Sequence, residues 1–72
     1  MANNEELKKE ILEAFNKYNY CVDSAFYYAT NLVEKIDHND VKEADKAMSK
    51  LENKSKKVKL AKKKLAFLLN NL

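Results

Sequence analysis

Asp37-His38-Asn39-Asp40 is the one clear interruption in a chain whose helical pattern otherwise runs from end to end. Its chemistry reads as a stop followed by a start. Asn39 has the short polar side chain that best tolerates a left-handed backbone, in a chain with no glycine to end a helix. Asp40 is placed to accept hydrogen bonds from the free N–H groups of a helix that begins at Val41. Glu43 follows three residues later, the spacing of a capping box with Asp in place of Ser or Thr. Asp45 adds a further acid near the positive end of that helix's dipole. A connection this short makes an antiparallel hairpin the expected arrangement.

Composition supports helix on both sides of the turn. The 72 residues include no Gly and no Pro, which removes most tight-turn chemistry. Ala, Leu, Lys, Glu and Asn dominate, and all but Asn are good helix formers. The length predicts one domain over 1–72. A chain this short buries only about 60–65% of its unfolded surface, so its stability alone is marginal.

Upstream of the turn, the spacing predicts a helix over about 4–36. Its seam alternates by four and three: Ile11, Phe15, Tyr18, Val22, Ala25, Ala29, Leu32, Ile36. Leu7, Leu12, Ala14, Cys21, Phe26, Tyr28 and Val33 broaden it on both sides. That sector is wider than a two-stranded coiled coil needs and suits a helix touching two neighbours. Downstream, a second helix is expected over about 41–70. Its seam is Val41, Ala44, Ala47 or Met48, Leu51, Val58, Ala61, Leu65, Leu68 and Leu72, flanked by Leu69. The seam thins at Asn53-Lys54-Ser55, where a break would give three helices, although no Gly or Pro supports one. The expected fold is all-α: an antiparallel two-helix hairpin, completed to a four-helix bundle by dimerisation.

Charge divides unevenly along the chain. Residues 1–38 hold seven acids and four lysines, and residues 39–72 hold four acids and ten lysines. Folded antiparallel, Glu5, Glu6, Glu10 and Glu13 lie alongside the lysine-rich end of the second helix. Each exposed pair is worth at most about 1 kcal/mol, yet together they favour the antiparallel arrangement.

Two apolar pairs fall off the seams. Leu60 and Phe67 lie about 180° from the Val58–Leu65 line, and Tyr20 and Tyr27 about 150° from the first seam. Asp23 sits beside the tyrosines. Tyrosine offers apolar area and a hydroxyl at low entropic cost, so Tyr20, Asp23, Tyr27, Leu60 and Phe67 are the expected partner-binding residues. Tyr18 and Tyr28 read as core-edge residues. The lysine cluster carries the rival reading, in which Lys56, Lys57, Lys59, Lys63 and Lys64 contact nucleic acid or another anionic surface. All fourteen basic residues are lysine, which argues against bidentate base recognition.

Catalysis finds no support. His38 stands alone in a polar turn, with no second His or Cys at ligand spacing, so neither metal nor cofactor is expected. Cys21 reads as a small apolar residue, and the absence of Gly excludes a phosphate-cradling loop. A single cysteine, no N-terminal apolar region and no apolar run near the roughly 20 residues of a membrane span predict a cytoplasmic protein. The favoured function is a protein–protein interaction module of adaptor, chaperone or inhibitor type that acts through apolar helix faces, alone as a homodimer or with another protein. The alternative is a nucleic-acid-binding regulator that uses the lysine-rich second helix.

Overall fold

The structure, a computed structural model, describes residues 4–72; residues 1–3 of the single expected domain lie outside the described residues. Two helices make up the fold: α1 spans Asn4–Asp37 and α2 spans Val41–Leu69. The hairpin and both helix extents agree with the spacing to within one residue. α2 runs unbroken through Asn53-Lys54-Ser55.

The turn is built as its residues dictate. Asn39 is the one non-glycine residue with positive φ among the described residues, at 57°. Its N–H donates to the Ile36 carbonyl at 3.0 Å, and the Asp40 N–H donates to the Lys35 carbonyl at 2.9 Å. These nested bonds are a Schellman motif, which satisfies carbonyls that the end of α1 would otherwise leave open. Asp40 then caps α2, its carboxylate accepting from the Glu43 N–H at 3.2 Å. At the far end, where no glycine is available, the Asn71 side-chain amide donates to the Phe67 carbonyl at 2.9 Å.

The interhelical seam keeps a four-three rhythm. The buried or half-buried positions that follow it on α1 are Leu7, Ile11, Ala14, Tyr18, Cys21, Ala25, Tyr28, Leu32 and Lys35. On α2 they are Ala44, Ala47, Leu51, Lys54, Val58, Ala61, Leu65 and Leu68. From Ala44 to Leu68 the α2 seam is the expected one, with Ala47 rather than Met48 turned inward and Lys54 filling its thin point, while Val41 and Leu72, expected at its ends, are exposed. On α1 the seam is rotated by one position. Ala14, Cys21, Tyr28 and Lys35 turn inward, while Phe15 and Ile36 are exposed and Val22 and Ala29 half-buried. The reason is size. The only buried residues among those described are Ala14, Cys21 and Ala47, all small. Small side chains let the backbones close in and gain dispersion contacts that a Phe15-centred seam would hold apart.

Lys54 is accommodated by its shape. Its stem lies along the seam and its Nζ reaches to 6.0 Å from the centroid of the Tyr28 ring, with Lys50 at 5.8 Å. A lysine can cover apolar surface with its methylenes while its ammonium faces a ring and water.

This hairpin covers little of itself. It measures 58 × 14 × 11 Å with a radius of gyration of 16.5 Å, against about 11 Å for a compact domain of this length. Its accessible surface is 5948 Å², about 1,300 Å² above that of a compact monomer of its mass.

Two consequences are testable in thermal melts followed by circular dichroism. Asn39→Gly removes the Cβ penalty of the left-handed position and raises stability by about 0.5–1 kcal/mol, whereas Asp40→Ala lowers it by about 1 kcal/mol. No effect from either would contradict this turn. Ala47→Leu wedges the helices apart and destabilises by about 1–3 kcal/mol; a neutral or stabilising result would contradict close packing at Ala47.

Candidate interaction surfaces

A two-helix hairpin has two broad faces, one on each side of the plane through both axes. Here the two differ in chemistry. Near the turn, one face holds an open groove lined by Leu32, Ile36, Val41, Ala44, Asp45 and Met48. Further from the turn, the other face carries grooves lined by Glu10, Glu13, Lys17 and Lys64, and by Lys17, Cys21, Lys57 and Leu60, over a floor of Ala14 and Ala61. The first is apolar and the second charged.

The apolar face belongs mostly to α1. Phe15, Val22, Ala29 and Ile36 recur at seven residues beside the seam, and Leu12, Phe26 and Val33 recur at the next position outward. Taken together they run 12, 15, 22, 26, 29, 33, 36, a second four-three stripe in which only Asn19 is out of step. Leu12, Phe15, Phe26, Val33 and Ile36 are exposed, Phe26 by 73%. α2 adds Val41, Met48 and Leu69 to this side, but Ser55 and Lys62 interrupt that row. Patches of this kind on a small chain mark an interaction surface.

On the charged face, Lys50, Lys57 and Lys64 stand seven residues apart along α2, with Lys17 across the groove. Glu10 and Glu13 lie at the groove's end beside Lys64, so the acidic start of α1 does flank the lysine-rich end of α2. Among the described residues Glu10 and Glu13 form no direct ion pair with these lysines. The ion pairs Lys46–Glu43 at 3.5 Å and Lys56–Glu52 at 3.8 Å are both within α2 and exposed.

The residues singled out from the sequence are all exposed, Tyr20 by 70% and Phe67 by 67%. They do not form one cluster. Counting outward from the turn, Tyr20 on α1 and Leu60 on α2 sit at about the same level, on opposite banks of the charged face. Leu60 lines its groove rather than standing alone on the back of α2. Asp23 lies on the outer side of α1. Of the five cluster lysines, Lys57 and Lys64 reach the groove, while Lys56 and Lys63 lie on the back and Lys59 toward the apolar side. Tyr18 and Tyr28 are half-buried; the Tyr27 and Tyr28 rings meet edge to face at 5.2 Å and 79°. The apolar stripe was read only as a broadening of one seam. The four-three spacing of residues 12 to 36 carried the signal, hidden because the first seam was centred on Phe15.

Among the described residues no group of three or more His, Cys, Asp or Glu could hold a metal ion. Cys21 is a free, buried thiol, and His38 lies in the turn about 25 Å up the helix from it. No helix is long and apolar enough to cross a membrane. Comparison with known proteins returned no family model, no curated protein and no solved structure that matches this chain.

Proposed function

We propose that the chain is a small helical protein–protein interaction module that acts through its apolar face, and that its first partner is a second copy, completing a four-helix bundle. The observation that carries this reading is the second stripe on α1. α2 already occupies the first seam, and a stripe of the same rhythm along about 36 Å of helix needs another helix to cover it.

Self-complementarity selects a second α1, running antiparallel. In that arrangement residues whose numbers sum to 48 face each other across copies. Leu12 meets Ile36, Phe15 meets Val33, Asn19 meets Ala29 and Val22 meets Phe26, so every layer of the stripe is formed, each twice by symmetry. The bordering row places Lys9 against Asp37 of the other copy and Asn16 against Thr30. A parallel pair would set Lys9 on Lys9 and Asp37 on Asp37. In the antiparallel pair the one like-charge meeting is Asp23 with its own mate near the dyad, at the solvent edge. The exposed area in excess of a compact monomer also matches the scale of a standard interface, roughly 800 Å² per partner. The separation of Cys21 from His38 and the openness of the grooves support a binding rather than a catalytic role.

Disulfide trapping tests both the partner and the direction, in a Cys21→Ala background. Copies carrying Leu12→Cys mixed with copies carrying Ile36→Cys should form the mixed disulfide. Neither variant alone should dimerise covalently, because identical positions stand about 36 Å apart. Homodisulfides of either variant would overturn the antiparallel register. Phe26→Glu with Val33→Glu should weaken self-association by roughly 100-fold or more, while Leu60→Glu with Phe67→Glu leaves it intact. If the first double variant associates as tightly as the parent, the apolar-face reading fails.

A further inference from the structure

We infer that the charged broad face, opposite the apolar one, is a binding surface for single-stranded nucleic acid, with Lys50, Lys57 and Lys64 of α2 along the phosphates and Tyr20 and Tyr27 of α1 stacking bases. The inference does not need the second copy, and self-association through the apolar face leaves this face outward on each protomer.

The lysines of this face run along its middle, and its carboxylates lie toward the two ends. Lys50, Lys57 and Lys64 form a single row about 21 Å long at 1.5 Å per residue. Lys17 shares the groove with Lys57 and Lys64, and Lys54 joins Lys50 above Tyr28. None of these five lysines forms an ion pair within the described residues. The acids on this side stand at its ends: Glu6, Glu10 and Glu13 toward Lys64, and, near the turn, Glu34, seven residues beyond Tyr27, with Glu43, already held by Lys46. Between them the α1 bank presents Lys17, Tyr20, Ser24, Tyr27 and Asn31, and no carboxylate. By contrast Lys56, on the back of α2, is paired with Glu52.

The two banks divide the labour that a single strand requires. The α2 bank is cationic and the α1 bank aromatic. Beside Lys57 and Lys64 lies an open groove of about 330 Å³, bounded on α1 by Lys17 and floored by Cys21 and Ala61, small side chains that leave room for a chain to lie. Tyr27 is 64% exposed while its ring is braced edge to face on Tyr28, so a stacking surface is presented in a fixed orientation. A positive groove that tracks the backbone, beside aromatic rings that accept any base, is the recurring solution for single strands. A duplex offers no free base faces to those rings. An acidic partner helix would need an apolar ridge along the groove centre, where Ser24 and Asn31 stand half-buried instead. With lysine as the only cation, binding is without base readout.

The test is fluorescence anisotropy of the full chain with labelled 12-nucleotide oligo-dT and oligo-U at about 50 mM salt, where screening is weak. Three to four neutralised phosphates give a log–log salt slope of about −2 to −3. Lys57→Gln with Lys64→Gln should flatten that slope by about 1.4, while Lys56→Gln with Lys63→Gln on the back leaves it nearly unchanged. Tyr27→Ala should weaken binding at least about fivefold with the slope unaltered, and helicity by circular dichroism should persist in each variant. Absence of binding at this salt overturns the inference. So does equal competition by duplex DNA or poly-glutamate with no effect of Tyr27→Ala, which would mark an unspecific cationic or acidic-protein surface.

Discussion

One helix can cover one stripe of another, and α1 carries two. That constraint governs the rest of the molecule. α2 takes the stripe with Ala14 and Cys21, where the backbones come closest, and leaves the stripe with Phe15, Phe26 and Ile36 in water. Phe15 and Phe26 are therefore on the outside of the hairpin, while its most buried residues, Ala14, Cys21 and Ala47, are small. A hairpin built this way gains close contact along its seam but little buried area, and the hydrophobic effect scales with area. The apolar surface of the uncovered stripe is still available for an intermolecular contact.

The turn makes this division possible. Asn39 in the left-handed conformation and the Asp40 cap reverse the chain within three residues. So short a link fixes the register of α2 on α1, and register decides which α1 stripe is occupied. It also puts the charged rows of both helices, Lys17 on one and Lys50, Lys57 and Lys64 on the other, on one side of the molecule. Apolar and cationic surfaces are thereby segregated to opposite broad faces, although along the chain the two kinds of residue are interleaved.

Much of the fold was legible in the sequence, because its determinants are local. The capping spacing from Asp40 to Glu43, the tolerance of Asn39 for positive φ and the absence of Gly and Pro each act within a few residues. The choice of seam on α1 was less legible. Phe15 and Ala14 are neighbours in sequence, and hydrophobicity alone favours Phe15; the small Ala61, which shares their grooves, selects Ala14 and Cys21. That is a tertiary effect, decided by two surfaces at once. The same limit applied to the lysines. Counted along the chain they form a cluster from Lys54 to Lys64, but the hairpin separates Lys56, Lys59 and Lys63 from Lys57 and Lys64, and adds Lys17 from α1. Tyr20 and Tyr27 were visible as off-seam residues, whereas their place on the same broad face as Lys50, Lys57 and Lys64 was not.

The most direct test of the central claim, that the second stripe of α1 is an assembly surface, is the mass of the unmodified protein by sedimentation equilibrium across a wide concentration range. The account predicts reversible association to twice the 8.4 kDa chain mass, with a melting temperature that rises with concentration. A species that stays at 8.4 kDa at every concentration and melts sharply at a fixed temperature would contradict it, since the exposed stripe would then need no second copy.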